Sequence, residues 1–195
     1  MPCNTLKNYC KLTVPFSDAE LDLIDIYFET KLLKKKEFLL RDTTICDFIA
    51  FIAEGSIRHF HIKDGDEKTC DISFSNAWVT DFQSFTHNTN GIMNLQAMES
   101  TVVFLIRKQN LYQLYKENNK YETFGRLMAE QVAQRATEIA MSLSSDKPEE
   151  RFQKLVNKHP DLLQRVSQKY VANFLGISAE SLSRMRKRII EKQKS

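Results

Sequence analysis

The sequence of 195 residues is poor in the features that mark several large protein classes. Its four cysteines are scattered and none forms a C-x-x-C pair, so the usual spacings of zinc and iron–sulfur ligands are absent. Free, reduced thiols in a cytosolic protein are the simplest interpretation. The sequence also has no secretory apolar segment and no long apolar run, so we expect neither export nor a membrane span.

Arrangements that carry catalysis are missing too. No Ser/His/Asp set, glycine-rich phosphate loop or pair of carboxylates has a diagnostic spacing, so no catalytic residue is assigned and an enzyme is the least favoured class. His59 and His61 are two residues apart on a predicted strand and would share one face, but no third ligand stands at a metal-site spacing. His87 falls in a predicted loop. Surface or hairpin histidines are therefore favoured over a metal site.

The net charge is small, but it is unevenly distributed. The chain carries 28 basic and 25 acidic residues, a net charge of +3. Residues 148–195 contain eleven Lys and Arg against five Asp and Glu, and the remainder of the chain is net acidic. A basic C-terminal segment joined to an acidic front domain is typical of a nucleic-acid-binding module attached to a second domain.

The basic segment contains two short predicted helices that meet at Gly176. Ser167 is a suitable N-cap for a first helix over residues 168–175, whose apolar face is spaced at helical intervals. Gly176 can adopt the left-handed conformation that ends a helix, and Ser178 can cap the next one. This order predicts a helix-turn-helix, with a second helix over residues 178–192 that enters the DNA major groove. The alternative is a basic amphipathic helix with solvated charges. It does not explain why a cap, a short helix, a glycine and a second cap precede that helix.

The second predicted helix has two distinct faces. Leu182, Met185 and Ile189 recur at spacings of three and four, so their face should be buried. The opposite face can read bases, because an arginine donates two parallel hydrogen bonds to guanine and a glutamate accepts from cytosine, a discrimination of roughly 1–3 kcal/mol. Neighbouring lysines and arginines suit phosphates, which position the protein without reading sequence. The predicted DNA-binding residues are Gln168, Lys169, Ser178, Ala179, Glu180, Ser183, Arg184, Lys187 and Arg188.

The front of the chain changes from helical spacing to short strands. Apolar residues at helical intervals follow Ser17 and Asp18, which form a suitable N-terminal cap. Short apolar or alternating segments separated by turn signals then predict strands. These strands cover residues 37–40, 48–53, 57–62, 69–74, 92–98 and 101–106. The alternation in 57–62 predicts a half-buried strand before a hairpin turn at 63–66, and the whole set favours a β-sandwich or roll over a βαβ fold.

A long helix is predicted over residues 111–143, with only Gly125 as an interruption. Its apolar stripe follows spacings of three and four and resembles a coiled-coil seam. The predicted dimer-interface residues are Phe124, Met128, Val132, Ala136, Ile139 and Leu143. The alternative is a helix that packs on its own front domain, but a dimer is favoured because helix-turn-helix proteins usually read two half-sites about 34 Å apart. Residues 144–148 predict a hinge, and the helix that follows ends at His159 and Pro160.

Several segments resemble one known family. They are residues 149–152 (EERF), 159–162 (HPDL), 171–184 (VANFLGISAESLSR) and, in the front domain, 48–58. Over nearly its whole length the chain is similar to Crp/Fnr-family bacterial transcription regulators, most of all to the Bacteroidetes-type branch. The resemblance implies an α+β fold: an N-terminal double-stranded β-helix or jelly roll like a cyclic-nucleotide-binding domain, a long dimerisation helix, and a winged-helix-like C-terminal helix-turn-helix. The implied boundaries are 1–110 for the sensor domain, 111–144 for the dimerisation helix and 145–195 for the DNA-binding domain.

The resemblance also assigns roles within the second helix. The family's E-x-x-S-R base-reading set corresponds to Glu180, Ser183 and Arg184, and in the Fnr-like branch such a set reads palindromic sites with TTGA half-sites. Ala179 stands where the Crp-like branch carries an arginine, which departs from Crp-type readout. The implied partners are double-stranded DNA, a second copy of the chain and RNA polymerase, in the bacterial cytoplasm. The short sequence after this helix implies that the family's β-hairpin wing is absent or vestigial.

The region that corresponds to the family's effector site departs from the cyclic-nucleotide pattern. The candidate pocket residues are Thr80, Asp81, Phe82, Asn90 and Gly91. Cyclic-nucleotide binders of the family carry an arginine for the phosphate, and residues 79–93 lack it, so cyclic AMP is not expected. The Fnr-type cysteine cluster is missing as well, and no cofactor is identified. A β-roll interior packed with Phe82, Phe85 and Met93 would be a vestigial site, whereas a retained cavity would favour a different, less anionic effector.

Two functions of different classes follow from these patterns. The favoured one is a dimeric, sequence-specific DNA-binding regulator whose front domain receives a signal. The alternative is an effector- or protein-binding sensor module whose helix-turn-helix no longer binds DNA specifically, although no recognisable ligand motif supports it.

Overall fold

The computed structural model describes residues 3–194, and the side-chain surroundings of residues 3–189. The helices are α1 (Asn4–Thr13), α2 (Asp18–Tyr27), α3 (Phe82–His87), α4 (Lys108–Glu117), α5 (Asn119–Ser145), α6 (Pro148–Lys158), α7 (Leu162–Arg165), α8 (Gln168–Leu175) and α9 (Ala179–Lys194). The strands are β1 (Glu29–Leu33), β2 (Phe38–Leu40), β3 (Phe48–Glu54), β4 (Ser56–Lys63), β5 (Asp66–Phe74), β6 (Trp78–Val79), β7 (Asn94–Ala97) and β8 (Thr101–Arg107). Over the described residues, no helix combines the length and apolar character that crossing a membrane requires.

The strands form a roll of two four-stranded antiparallel sheets. One sheet has the order β1-β8-β3-β6 and the other has the order β2-β7-β4-β5. Side chains from both sheets fill the roll interior, among them Phe48, Ile57, Leu95 and Val103. Each sheet thereby buries one apolar face on the other, which is the physical reason for a roll. The α+β class with a β-roll, predicted from the strand pattern and the resemblance, is confirmed.

The strands predicted from turn signals are all present, but β1 and β6 are not predicted by the sequence. The β1 segment, ETKLL, is exposed over most of its length and shows no alternation, and β6 has only two residues. Both strands are held by backbone pairing, β1 with β8 and β6 with β3. Their positions therefore depend on partners that are distant in the sequence.

Residues 57–62 lie in β4 as predicted, but the prediction that this strand is half-buried is wrong. The first five residues of β4 are buried on both faces. Ile57 lies in the roll interior, whereas Arg58 faces outward and is covered by Tyr170 of α8. The guanidinium carbon of Arg58 lies 3.8 Å from the centre of the Phe60 ring and 4.0 Å from the centre of the Tyr170 ring. The outer face of β4 is thus an internal boundary of the molecule, which alternation alone could not indicate.

A second core lies between the outer face of the β1-β8-β3-β6 sheet and the helices α1, α2, α4 and α5. Phe51 and Phe104 of the sheet belong to one buried cluster with Leu6, Ile24 and Leu114 of the helices. The N-terminal helices and the long α5 are therefore fixed on the roll by apolar burial, the main stabilising term of a folded domain.

The single helix predicted over residues 111–143 is two helices in the structure. α4 and α5 are separated at Asn118, which is extended with φ −149° and ψ 113°. The side chain of Asn118 accepts a hydrogen bond from the backbone N–H of Lys120 at 2.9 Å, so it caps a new helix. Gly125, the expected interruption, lies within α5 and faces the ring of Tyr115, so its missing Cβ permits close packing.

The C-terminal helices build a third core, and this core includes the outer face of the roll. Ile72 and Phe74 of β5 are buried in one cluster with Phe152, Val171 and Leu182 of α6, α8 and α9. The helix-turn-helix is therefore packed against the sheet that contains β5.

Polar contacts reinforce this boundary at two places. At the edge strand β5, the N–H of Thr69 donates to Oδ1 of Asn173 at 2.6 Å, and Nδ2 of Asn173 donates to the carbonyl of Glu67 at 2.9 Å. Nη2 and Nε of Arg165 both donate to the Glu99 carboxylate, at 2.8 and 3.1 Å. The position of the C-terminal helices on the roll is thus specified by directional contacts as well as by burial.

Candidate nucleic-acid interface

The turn between α8 and α9 has the predicted geometry. Gly176 has φ 72° and ψ 28°, the left-handed conformation that favours glycine. The N–H of Ile177 donates to the carbonyl of Ala172 at 3.0 Å, which satisfies a carbonyl group at the end of α8. Nη2 of Arg151 donates to the carbonyl of Leu175 at 2.6 Å and satisfies another. The glycine turn therefore fixes the angle between the two helices.

Of the two predicted serine caps, only one is formed by the hydroxyl group. Oγ of Ser178 accepts from the N–H of Ser181 at 3.1 Å, so Ser178 caps the start of α9 as predicted. Ser167 occupies the N-cap position of α8, but its side chain makes no capping hydrogen bond, so that part of the prediction is wrong. The first turn of α8 is held instead by the backbone N–H groups of Tyr170 and Val171, which donate to the Ser167 carbonyl.

The two faces predicted for the second helix are present on α9. Leu182 and Met185 are buried in the third core, and Ile189 packs half-buried against it. All the residues predicted to contact DNA are exposed, namely Gln168, Lys169, Ser178, Ala179, Glu180, Ser183, Arg184, Lys187 and Arg188. Because the buried face fixes the rotation of α9 about its axis, the exposed face points away from the protein.

Glu180 and Arg184 lie one helical turn apart on this exposed face. The pKa of Glu180 is held below its usual value, first by a hydrogen bond from a backbone N–H in the first turn of α9, then by Ser178 and by the nearby charge of Arg184. Nη2 of Arg184 donates to Oγ of Ser181 at 3.3 Å. At neutral pH the face therefore presents an ionised acceptor beside a cationic donor, the two groups that read cytosine and guanine edges.

The residues predicted for a dimer interface divide into two groups. Phe124 and Met128 are buried in the second core, against the front domain of the same chain. The remaining four are half-buried or exposed: Val132, Ala136, Ile139 and Leu143. The apolar stripe of α5 thus packs within the chain at its start and is uncovered further along. Phe124 and Met128 are not available to a second copy.

Asp81, a predicted effector residue, is turned into the protein. Its side chain is 0% exposed, and its carboxylate accepts hydrogen bonds from the N–H groups of Ser84, Ile92 and Met93 at 3.1, 2.7 and 3.2 Å. Gly91 lies directly against it, since an added Cβ would be 3.2 Å from Oδ2 of Asp81. Asp81 therefore ties the start of α3 to the segment before β7, and Gly91 leaves it room.

The other predicted effector residues lie in different surroundings. Thr80 and Phe82 line a cavity of about 660 Å³ between the roll, α1 and α5. Asn90 is exposed and forms an isolated bridge with Ile45. Of the side chains expected to fill a vestigial site, Met93 and the partly exposed Phe82 line this cavity, whereas Phe85 is buried and is not among its lining residues. This cavity lies between the roll and the helices, whereas other side chains fill the roll interior, so the nature of the effector site stays a prediction.

Sequence reasoning missed a polar cluster at one end of the cavity. Nε and Nη2 of Arg135 on α5 donate to both carboxylate oxygens of Asp71 on β5, at 2.9 and 2.6 Å. Beside this pair, Nε2 of His59 lies 3.0 Å from Oγ of Ser73. No local pattern indicated this cluster, because Arg135 lies outside the apolar stripe of α5 and is 64 residues from Asp71 in the sequence.

The protonation of this cluster follows from its burial and its ion pair. Burial lowers the pKa of His59, so the imidazole is neutral at physiological pH. Burial opposes the ionisation of Asp71, but the hydrogen bonds and charge of Arg135 outweigh it and hold the pKa of Asp71 below its usual value. The cluster therefore contains an ion pair, in which Arg135 neutralises Asp71, and one neutral imidazole, that of His59.

His59 and His61 lie in the β4–β5 hairpin, one of the two alternatives favoured for them, but a surface position for His59 and a loop position for His87 are wrong. His59 is a buried interior residue, only 8% exposed, because the roll and α5 enclose it. His87 ends α3 and does not lie in a loop. His61 is half-buried, with Nδ1 3.1 Å from Sγ of Cys70. Within the described part of the chain, no group of three or more His, Cys, Asp and Glu is placed to hold a metal ion.

Comparison with protein families identifies the front of the chain. The cyclic nucleotide-binding domain matches residues 30–118, which include all the strands except the first residue of β1. A comparison with curated proteins found no match.

Solved structures extend the likeness to between 85% and 91% of the chain. FixK2 from Bradyrhizobium japonicum is 15% identical, with 85% of this chain and 86% of that chain covered and a TM-score of 0.71. CLP from Xanthomonas campestris, a c-di-GMP-responsive global regulator, is 17% identical, with coverages of 91% and 93% and a TM-score of 0.67. A crp/fnr-family transcriptional regulator from Eubacterium rectale is 15% identical, with coverages of 90% and 85% and a TM-score of 0.66. Residues 30–118 thus resemble a cyclic nucleotide-binding domain, and most of the chain shares the fold of solved Crp/Fnr-family transcription regulators.

Proposed function

We propose that the protein is a dimeric, sequence-specific DNA-binding transcription regulator of the Crp/Fnr type, without enzymatic activity, that acts on RNA polymerase in the cytoplasm. One observation carries this proposal. The exposed face of α9 presents Glu180, Ser183 and Arg184, while its opposite face is anchored in the third core. A recognition helix needs this combination, because base reading requires free side chains on a helix of fixed orientation.

The exposed side chains suit two kinds of DNA contact. Arg184 would donate two hydrogen bonds to a guanine, Glu180 would accept from a cytosine amino group, and Ser183 would serve a neighbouring base. Lys187 and Lys169 would contact phosphates on either side of the groove, which set the register of the complex. Specificity is therefore assigned to the first half of α9, and non-specific affinity to the lysines around it.

Dimerisation is proposed through the later part of α5, where Val132, Ala136 and Ile139 also line the cavity and Leu143 lies beyond it. These four apolar residues are half-buried or exposed. A second α5 packed along them would remove these residues from water and would place two copies of α9 on one duplex. Two half-sites about one helical turn apart, roughly 34 Å, would then be read together.

Cyclic AMP is excluded as effector in this proposal, although residues 30–118 match a cyclic nucleotide-binding domain. A bound cyclic phosphate requires a cation, and the segment 79–93 contains no arginine or lysine. The carboxylate of Asp81 already accepts the free N–H groups around the start of α3. A phosphate placed there would lose those donors and would be repelled by the carboxylate.

Fluorescence anisotropy with a palindromic TTGA duplex and a scrambled duplex tests the proposal. Wild type should prefer the palindrome, and Arg184→Ala should lose roughly 5- to 150-fold of that preference, equivalent to about 1–3 kcal/mol. Arg126→Ala, which removes an exposed arginine from α5, should bind as wild type does. Selection of bound duplexes from a random pool identifies the preferred sequence without assuming TTGA half-sites.

The alternative function predicts a different result in the same assay. A sensor module whose helix-turn-helix no longer reads DNA would bind both duplexes equally, with a salt slope near −0.9 per phosphate contact, and would enrich no sequence from the pool. The retained cavity is the observation that favours this alternative. That outcome would contradict the proposed function.

A further inference from the structure

The cavity between the roll and α5 has the size and lining of a ligand site. Its volume of about 660 Å³ lies within the range of roughly 300–1,000 Å³ that small-molecule sites occupy. Most of its wall is aromatic or aliphatic, including Phe28, Trp78, Tyr115, Phe124 and Met128. The wall therefore favours an apolar occupant.

At the inner end of the cavity, no unpaired cationic side chain from the described residues lines the wall to bind an anionic ligand. Arg135 is held by both oxygens of Asp71, so an incoming anion would meet a carboxylate whose partner is already engaged. At the outer rim, Lys158 and Glu138 are exposed to solvent and have opposite signs, while His159 is stacked on the ring of Phe74. Exposed charges of this kind are screened by water and salt.

The inner end also offers a neutral hydrogen-bonding group. His59 lines the cavity and is buried, and its Nε2 is engaged by Oγ of Ser73 at 3.0 Å. Among the residues that the structure describes, Nδ1 of His59 has no side-chain or backbone partner. A neutral imidazole has one donor and one acceptor nitrogen, so Nδ1 can bind a ligand group of the complementary kind.

We propose that this cavity binds an uncharged, mostly aromatic molecule of two or three rings whose single hydroxyl or amine group is hydrogen-bonded to His59. The inference rests on the proposed function, since it names the class of signal that the front domain of the regulator receives. A neutral ligand is favoured over an anionic nucleotide for two reasons. Arg135 is already paired with Asp71, and most of the cavity wall is aromatic or aliphatic.

The protein carries its own reporter for this test. Trp78 is the only tryptophan of the chain and lies in the cavity wall. The probe is N-phenyl-1-naphthylamine, an uncharged aromatic amine that accepts energy from tryptophan, added to the full-length protein. We expect saturable energy transfer from Trp78 with one probe per chain. 2-Naphthol should displace the probe at roughly fivefold lower concentration than naphthalene, because one hydrogen bond is worth about 1 kcal/mol.

Three variants locate the probe. Ala129→Phe fills the cavity from α5 and should abolish energy transfer, whereas Thr137→Phe places the same ring on an exposed position of α5 outside the cavity wall and should leave transfer unchanged. His59→Leu should still bind the probe but should lose the fivefold preference for 2-naphthol over naphthalene. Circular dichroism checks that each variant is folded, and the His59→Leu measurement stands even if Ala129→Phe does not fold.

Three outcomes would overturn the inference: no saturable transfer in folded wild type, unchanged transfer in folded Ala129→Phe, or displacement of the probe by cyclic AMP as effectively as by 2-naphthol. The assay contains no DNA, and the anisotropy assay contains no ligand. Failure of the ligand class is therefore distinguishable from failure of the proposed DNA-binding function.

Discussion

At the scale of single residues, the structure depends on positions where one side chain, or the lack of one, satisfies a geometric requirement. Gly176 meets such a requirement because the turn between α8 and α9 needs a left-handed residue. Asp81 meets another, since its buried carboxylate is the common acceptor for three N–H groups of two segments. The first is a local requirement and the second is a tertiary one, and this difference decides how far the sequence could anticipate them.

We predict that Gly176→Ala destabilises the protein by about 1 kcal/mol, because a Cβ disfavours the left-handed conformation. The nearest atom to an added Cβ is Nη2 of Arg151 at 4.0 Å, so the cost comes from the backbone and not from a clash. Gly176→Asn should cost less, since asparagine tolerates this conformation better than alanine. Urea unfolding of the three proteins measures the difference, and an equal loss for alanine and asparagine would contradict the backbone explanation.

The residue positions that the sequence predicted correctly are those governed by neighbours in the chain. The helix-ending glycine at Gly176 and the caps at Ser17 and Ser178 each depend on residues within one helical turn, and all three are present. The ion pair of Asp71 with Arg135 joins residues 64 apart, so no local pattern could identify it. The cavity they flank was equally beyond the reach of local reasoning.

At the scale of elements, α5 is one helix in two environments. Its first part carries Phe124 and Met128 into the second core, whereas the part beyond Val132 leaves Ile139 and Leu143 half-buried or exposed. A helix that keeps an apolar stripe after leaving its own domain exposes surface that association would bury. The exposed apolar stripe of α5 is therefore a suitable surface for association with a second copy of the chain.

We predict that Leu143→Lys converts the proposed dimer to a monomer, because it places a charge in the apolar seam, where burial of an unpaired charge is costly. Leu143 is 54% exposed in the single chain, so the folded monomer should tolerate the change. Met141→Lys is the matched control, since Met141 is 64% exposed on a different face of the same helix. Sedimentation velocity distinguishes the species. A monomeric wild type, or equal dissociation by both variants, would refute an interface at this seam.

Elements with strong local signals were predictable, and elements held by distant partners were not. The strands bounded by turn residues, such as β3 and β4, appear where the sequence placed them. The break at Asn118 escaped prediction because apolar spacing continues across it, and only the cap geometry separates α4 from α5. The short strands β1 and β6 were missed because pairing, and not composition, makes them strands.

At the scale of the whole molecule, β5 joins the cavity to the DNA-binding helices. Asp71 and Ser73 on one face of the strand belong to the polar cluster, while Ile72 and Phe74 on the other face belong to the third core. Because alternate residues of a strand point to opposite faces, a shift of β5 caused on the cavity side must also move the side that packs against α8. This arrangement gives the proposed ligand a short physical route to the helix-turn-helix.

Asn173 is the directional contact on that route, and its removal should be measurable at one backbone amide. The N–H of Thr69 points outward from the edge strand β5 and donates to Oδ1 of Asn173 at 2.6 Å. We predict that Asn173→Ala accelerates hydrogen exchange at Thr69 by roughly 5- to 150-fold, the equivalent of about 1–3 kcal/mol for an unsatisfied donor. Gln153→Ala is the control, because Gln153 is bonded only to Asn157 within α6. NMR exchange rates for Thr69, with Leu95 in the roll interior as an internal reference, decide the matter. Unchanged protection of Thr69 in Asn173→Ala would contradict the role given to Asn173 in holding α8 on β5.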